Sequence, residues 1–413
     1  MAAITCGIDW ADGHHDIALA DRDGLRLAKQ RISDDAAGLA ALLALLAEHG
    51  DSAGAPVPIA IETSRGLLVA MLRATGRPIH VINPMAVARY RDRHSVARKK
   101  SDDFDALVLA NILRTDAAAH RVLPTDTELA QSIAVLARAQ QDAVWDRTQA
   151  ANKLRSHLRE YYPGFLAAYG HKDKFTTPVA RTILAAAPTP AHAAKLTPAK
   201  LAALLKRAGR VRGTADEAAR ARQAFQTPQM RQPPLVEQAM GAKTLALLRQ
   251  LDAACQSAED LEKAAVASFN QHPDAEVITS FPGLGSLLGA RVLAEIGDDR
   301  NRFADARALK AYSGTAPITR ASGKKTSVRV RRIKNNRLAA VTYPWTLSAL
   351  TASPGARTHY DKRRETGDWH AAAQRNLANK LLGCLYHCLQ TGTHYDEATA
   401  FPNPDSKNLD LAA

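Results

Sequence analysis

Through the first hundred residues the apolar positions switch between short runs and helical spacing. "AITCGID" is a brief apolar run ending at Asp9, "HDIALAD" follows a glycine turn, and "DDAAGLAALLALLAEHG" repeats its apolar residues at helical intervals. Strand-like "VPIAIET", a second helical stretch and "RPIHVINP" come next. The pattern predicts an α/β domain over residues 1–116. His14 and His15 are expected at a turn or on the surface.

An early hairpin followed by strands alternating with helices suits a ribonuclease-H-like sheet better than a doubly wound dinucleotide fold. After the basic "ARYRDRHSVARKK" (88–100), a helix is expected to open at Ser101, a natural N-cap with acids in the first turn behind it. From Thr127 to Tyr162 the series Ile133, Leu136, Gln140, Val144, Thr148, Ala151, Leu154, Leu158 keeps roughly heptad spacing. That predicts one long helix over 127–163, acting either as a dimer-forming coiled coil or packed on its own chain. Residues 164–274 read as an insert of short helices broken by prolines, followed by a return helix from about 243 to 270. A compact, mostly helical module is expected over 275–397, and a disordered tail over 398–413.

Charge narrows the class of partner. Lys and Arg number 55 against 41 Asp and Glu, a net charge of +14, which favours a polyanion and above all nucleic acid. No apolar run is long enough for a bilayer, and the N-terminus lacks the pattern of a signal peptide, so a cytoplasmic protein with no membrane partner is expected. Four cysteines are too few for a disulfide framework in a chain of this length. In "CLYHC", Cys384, His387 and Cys388 have a spacing a metal could use, but the surrounding helical periodicity reads as core packing.

Carboxylates supply the first candidate chemistry. Asp9 and Glu62 each end an apolar strand, and Asp102 and Asp105, three apart, share one face of the following helix. Four hard oxygen donors so placed suit Mg²⁺ or Mn²⁺, and a metal pair can orient a nucleophile and stabilise a leaving oxygen in phosphoryl transfer. Taken singly, each acid would be an ordinary turn or helix-start residue. Asp12, Asp16 and Asp103 are set aside, Asp103 because it points about 100° away from Asp102 on the helix.

The second candidate is cationic. In "ITRASGKKTSVRVRRIKNNRL" eight Lys or Arg fall between positions 320 and 337 with no acid among them, and Lys324, Lys325, Arg329, Arg331 and Arg332 are expected to contact phosphates. Ser322 stands before Gly323 at the edge of this run, either as a turn former or as a nucleophile activated from outside the loop. Upstream, the turn from Gly283 to Gly285 feeds a helix whose first N–H groups could hold a phosphate, or simply joins two packed helices.

"GIDWADGHHDIAL", "IAIETSRG", "VINPMAVARYRDRHSVARKKSDDFDALVLA" and "SFPGLGSLLGARVLAEIGDDRNRFADARALKAYSGTAPITRASGKK", in this order, resemble the insertion sequence one-ten family of transposases, the DEDD recombinases guided by a bridge RNA. The resemblance implies a RuvC-like domain binding Mg²⁺ through Asp9, Glu62, Asp102 and Asp105, a coiled-coil dimerisation segment and a C-terminal transposase domain. It also implies that Ser322 attacks DNA to form a covalent phosphoserine, one subunit's acids working beside another subunit's serine. The implied partners are donor and target DNA, a noncoding guide RNA and further copies of the chain, as dimer or tetramer. The segment 164–245 is long for a linker in this family. Two other readings compete: a metal nuclease of the Holliday-junction resolvase type, with Ser322 only structural, and a non-enzymatic nucleic-acid-binding protein.

Overall fold

The computed structural model describes residues 4–94, 102–171, 174–323 and 325–402, without the side chains of 92–94, 102 and 103. The chain divides into two units, Met1–Thr125 and Asp126–Ala413.

In the first unit, strands β1 (Thr5–Trp10), β2 (His14–Ala20) and β3 (Arg26–Ser33) are antiparallel neighbours. Helix α1 (Ala36–Glu48), β4 (Ile59–Ile61), α2 (Leu67–Ala74), β5 (Ile79–Val81), α3 (Pro84–His94) and α4 (Asp102–Asp116) follow. The sheet order is β3-β2-β1-β4-β5, with β4 and β5 parallel to β1, which is the arrangement expected of a ribonuclease-H-like sheet. β3 did not stand out in the sequence because it is an exposed edge strand, "RLAKQRIS", in which only Ile32 is buried.

Alternation along the strands sorts side chains onto two faces. Cys6, Ile8, Ile17, Leu19, Ile59 and Ile61 pack with Leu42 and Leu46 of α1 and Val69 and Leu72 of α2. On the opposite face Ala60 packs with Val87 of α3 and Val108, Leu109 and Ile112 of α4. Gly7 lies on this second face, and a Cβ placed there would meet the Ala106 carbonyl oxygen at 1.9 Å and the Ala110 nitrogen at 2.5 Å. Helix α4 therefore rests directly on the backbone of β1. Thr5 Oγ1 fastens it further along by donating to the Ala110 carbonyl at 2.9 Å.

His15 corrects the surface expectation: it is fully buried, and its Nε2 lies 3.2 Å from Asp34 Oδ1. It falls on the core side of β2 with Ile17 and Leu19, as strand alternation from those two residues requires.

The second unit is almost entirely helical. Helix α5 (Glu128–Arg159) begins at Thr127, whose Oγ1 accepts from the Ala130 N–H at 3.2 Å. Asp298 accepts from the backbone N–H and the hydroxyl of the same Thr127. Five short helices come next: α6 (Pro163–Tyr169), α7 (Pro178–Ala186), α8 (Pro190–Ala194), α9 (Pro198–Arg207) and α10 (Thr214–Gln226). The prolines do not break helices here. They start α6 to α9, and Thr177, Thr189 and Thr197 cap α7, α8 and α9.

The return helix α11 (Pro234–Phe269) begins well before residue 243 and runs antiparallel to α5: Ile133 shares a core with Phe269, while His157 reaches the Met240 carbonyl at 3.0 Å. Of the heptad series on α5, Ile133, Gln140, Leu154 and Leu158 are buried within the chain, whereas Thr148 is exposed. Two cores flank this helix pair. Leu154, Leu158, Tyr161, Tyr162 and Phe165 pack against the insert and α11; Ile133 and Ala137 pack against the C-terminal module.

That module comprises α12 (Ala275–Thr279), α13 (Ser286–Ile296), α14 (Ala306–Ser313), the hairpin β6 (Ile318–Ser322) and β7 (Lys325–Arg329), α15 (Asn336–Ala352), α16 (Pro354–Glu365), α17 (His370–Thr391) and α18 (Glu397–Ala400). Its core is built on Trp345, Phe281, Leu293, Leu381 and Leu385. The module runs past residue 397. Asp396 caps α18, Glu397 accepts from Ser353 Oγ and the Gly355 N–H, and Phe401 packs under Lys380. Residues 403–413 lie outside the described residues. Among the described residues no helix is long and apolar enough to cross a membrane.

Replacing Gly7 with Ala is expected to destabilise the first unit by about 2 kcal/mol or more, because the clash is with backbone that cannot rotate aside. Urea unfolding followed by far-ultraviolet circular dichroism measures it. Gly50→Ala, at a glycine with no neighbour within 4 Å, separates packing from backbone effects: its φ of 86° leaves only the cost of the left-handed conformation.

Candidate functional site

Asp9 is the penultimate residue of β1 and lies on the α4 face, two residues beyond Gly7. Glu62 follows the last residue of β4, the parallel neighbour of β1, where Ile8 pairs with Ile61. Asp105 belongs to the first turn of α4, one residue before the Ala106 carbonyl that presses on Gly7. Three elements thus bring Asp9, Glu62 and Asp105 to one end of the sheet, on one side of it. Asp102 begins the same helix, but its side chain lies outside the described residues, as do Ser101 and the side chain of Asp103.

The strand register adds an acid that sequence reasoning set aside. Asp16 is the direct cross-strand partner of Asp9, so the two share the α4 face; Asp16 is buried and held by Arg31 at 2.8 and 3.0 Å. Only the pairing of β1 with β2 reveals this, since the two residues are separated by a turn whose length does not fix a register by itself.

Asp105 is also buried, and the Arg91 guanidinium of α3 lies 2.7 Å from its Oδ1. A cation therefore already stands against this carboxylate, where a divalent metal ion would be held. The donor set consists of hard carboxylate oxygens, the chemistry that Mg²⁺ and Mn²⁺ take. Among the described residues, no three His, Cys, Asp or Glu side chains close around one point as metal ligands would. With Arg91 on Asp105 and Arg31 on Asp16, the cluster is balanced by guanidinium groups in this conformation.

In the second unit the basic run folds into a two-stranded hairpin, which its charge pattern alone did not predict. Ser322 is the last residue of β6 and pairs with Lys325; Arg320 pairs with Ser327, and Ile318 with Arg329. Directly opposed residues share a face, so Ser322, Arg320, Lys325 and Arg329 stand together on one side, while Thr319, Ala321, Thr326 and Val328 occupy the other. Gly323 makes the turn at φ 55°, with nothing within 4 Å of where a Cβ would sit. Ser322 and the three cations are exposed. Lys324 lies outside the described residues.

Other members of the run differ in what they face. Arg332 is exposed, Arg331 approaches the Ala316 carbonyl at 3.4 Å, and Arg337 is engaged within the unit, bidentate on Asp142 at 2.8 Å and over the Trp145 ring at 5.2 Å.

The hairpin stands on a polar network. Glu295 of α13 is buried and accepts from Arg138 at 2.7 Å and from Asn335 Nδ2 at 2.6 Å. Asn335 also donates to the Tyr312 hydroxyl at 2.6 Å and caps α15 by accepting from the Leu338 N–H. Burial works against the charge of Arg138, but the hydrogen bond and charge of Glu295 outweigh it and raise its pKa. Gly283, in the turn before α13, has a φ of 81° and lies against α15, where a Cβ would come within 2.7 Å of the Ala349 nitrogen. Cys384 and Cys388 lie on α17; burial raises both thiols, and Cys388 points its sulfur at the His394 carbonyl at 3.7 Å.

Removing Arg138 leaves the Glu295 charge buried and short of its partner. Arg138→Ala is expected to cost about 3–5 kcal/mol in urea unfolding of the second unit, whereas Arg138→Met combined with Glu295→Gln recovers most of the stability. Equal destabilisation in both would show that packing, not charge pairing, anchors the hairpin.

Comparison with known proteins places these two regions in one family. A family model of the DEDD IS110 transposase type matches residues 6–163, and a second, described as transposase of the IS116/IS110/IS902 family, matches residues 275–361. The chain is 63% identical over 399 residues, 96% of each chain, to a Streptomyces coelicolor protein described as "Mini-circle putative transposase for IS117". It is 28% identical to the 42 kDa protein of insertion element IS900 from Mycobacterium paratuberculosis, over 96% of this chain and 98% of that one. The 44.8 kDa protein of insertion element IS116 from Streptomyces clavuligerus is 29% identical over 94% of each. With both family models matched in order and a relative this similar along nearly its whole length, the chain belongs to the IS110 family of transposases.

Proposed function

We propose that this protein cuts and rejoins DNA through a covalent phosphoserine on Ser322, with Asp9, Glu62, Asp102 and Asp105 as ligands of Mg²⁺ or Mn²⁺. The single observation that supports it most is the one-sided hairpin: an exposed serine shares a face with Arg320, Lys325 and Arg329, at a glycine turn open enough for a DNA backbone to approach. The cations hold phosphates without reading bases. Lys325, directly across from Ser322, is the nearest of them in register.

In the reaction proposed, the Ser322 hydroxyl oxygen attacks a backbone phosphorus and the bridging P–O bond to one deoxyribose breaks. The hydroxyl proton passes to solvent or a nearby base, and the departing deoxyribose oxygen takes up a proton. One phosphodiester has been exchanged for another. Attack by a new DNA hydroxyl then releases the serine and seals the strand, so no ATP is consumed. Bound at the carboxylates, a divalent ion supplies charge neutralisation at the phosphate undergoing transfer. The acids of the chain must give up the Arg91 guanidinium, at least at Asp105, to receive it.

The same reading includes donor and target DNA, a noncoding guide RNA, a homo-oligomer built in part on α5, and action in the cytoplasm. The guide RNA rests on family membership.

Ser322→Ala is expected to bind DNA as the parent does yet form no covalent adduct, and Asp105→Ala to lose strand cleavage with its fold intact. Denaturing gels of trapped reactions with peptide mapping read both. An adduct on Ser313, Ser327 or Tyr312, or cleavage at the normal rate by Ser322→Ala, would move the nucleophile to another side chain or to water. Mixing Ser322→Ala with Asp102→Ala protein restores exchange if acids and serine act from different subunits.

Neutralising Lys325, Arg329 and Arg332 is expected to weaken binding to all DNA sequences alike and to flatten the log–log salt dependence by about 0.9 for each phosphate no longer neutralised. Arg337→Ala, which removes a cation already paired with Asp142, should leave that slope unchanged. An unchanged slope after the triple neutralisation would make the run a solvated surface.

A further inference from the structure

At the foot of the hairpin a groove of about 230 Å³ opens between α14, α15 and α17. Val330, immediately after β7, forms part of its wall, and so do Lys334, Tyr343, His370, Gln374 and Arg375. No acidic residue lines it. Its floor includes Ser313 and Thr315, whose hydroxyls bond to each other at 3.0 Å and to the Lys310 carbonyl.

Gln374 distinguishes this groove from an ordinary surface crease. Its side chain is 4% exposed, and its Nε2 has no hydrogen-bond partner among the described residues. A buried amide donor left unsatisfied is costly, equivalent to about tenfold or more in an equilibrium constant, so its persistence calls for an acceptor that arrives from outside. The surroundings show what that acceptor belongs to. Tyr343 is 56% exposed, and His370 has its ring fixed by the Tyr360 hydroxyl at 2.6 Å from Nδ1. Both present aromatic surface at the groove. Lys334 is pressed over Gly314, where a Cβ would come within 2.1 Å of its Cδ, and Arg375 is half-buried, so two cations flank the same opening.

The geometry points to a pocket for a single unpaired nucleobase of the DNA strand that the hairpin engages, an inference that rests on the nucleic-acid reading above. The Gln374 amide would donate to a ring nitrogen or carbonyl oxygen of the base, Tyr343 and His370 would stack on it, and Lys334 and Arg375 would hold the flanking phosphates. The cavity lies below the roughly 300 Å³ at which pockets for drug-sized ligands begin, and is suited to one planar ring system. Ser322 lies four residues along β6 from Ile318, about 13 Å at 3.3 Å per residue, roughly four base-pair rises of duplex. A base held here would set which phosphate reaches the serine.

The test compares binding of a single-stranded DNA oligonucleotide with that of the same strand carrying abasic nucleotides, by fluorescence anisotropy at fixed salt. The parent protein is expected to prefer the strand with bases by about tenfold or more. Gln374→Leu should lose that preference while keeping or raising its melting temperature, because it removes an unsatisfied buried group. Tyr343→Ala, at an exposed position that cannot unfold the module, should lose it too. The corresponding RNA strand forms a parallel arm, and a preference for bases confined to RNA would overturn the assignment to DNA. Equal, salt-dependent affinity for intact and abasic DNA, or an undiminished preference in both variants, would remove the pocket and leave the phosphoserine reading standing. Failure of the parent to bind either strand would remove both.

Discussion

The backbone contact between Gly7 and Ala106 governs the first unit. A strand and a helix normally keep their side chains between them; here the missing side chain lets α4 settle on β1 itself, with Thr5 bonded to Ala110 further along. The consequence is electrostatic as much as steric. Asp105 and Asp9 approach from a helix start and a strand end, Asp16 joins through the antiparallel register, and Glu62 through the parallel one. Concentrating carboxylates in this way needs compensating charge. Arg31 and Arg91 provide it in the conformation described, each holding a buried acid.

The second unit solves a different problem, that of holding a small exposed element steady. An isolated two-stranded hairpin is barely stable in water. β6 and β7 bury almost nothing, and their order comes from their ends: Asn335 ties the chain after β7 to Tyr312 and to Glu295, which Arg138 holds from α5. The helix pair α5 and α11 links this polar anchor to the aromatic core of the insert, where Tyr161 bonds to Thr244 and burial pushes its phenol up to about 12. The prolines of the insert serve as helix starts, which explains how a Pro- and Ala-rich segment can be well ordered.

Exposure of the basic face follows from that arrangement. A hairpin buried on one side would have committed its cations to nearby acids, as Arg337 is committed to Asp142. Projected from the module, Arg320, Lys325 and Arg329 keep their charge available to a polyanion, and Ser322 stays within their field. Membership of the IS110 family and this geometry support the same chemistry from independent directions.

Much of the architecture could be read from the chain. Apolar periodicity predicted the alternation of strands and helices in the first unit and the length of α5 with its Thr127 cap, and charge counting predicted the basic character of the stretch around Ser322, because each depends on neighbours a few residues apart. The edge strand β3, the burial of His15, the place of Asp16 opposite Asp9 and the sorting of cations onto the serine's side of a hairpin could not be read that way. Each is set by register between segments, and a shift of one residue would reverse every face. The residue types suited to metal, phosphate and nucleophile are thus written in the order of amino acids. Which of them meet is a matter of packing between distant segments, since Gly7, a residue with no chemistry of its own, sets how closely the helix of Asp105 approaches the strand of Asp9.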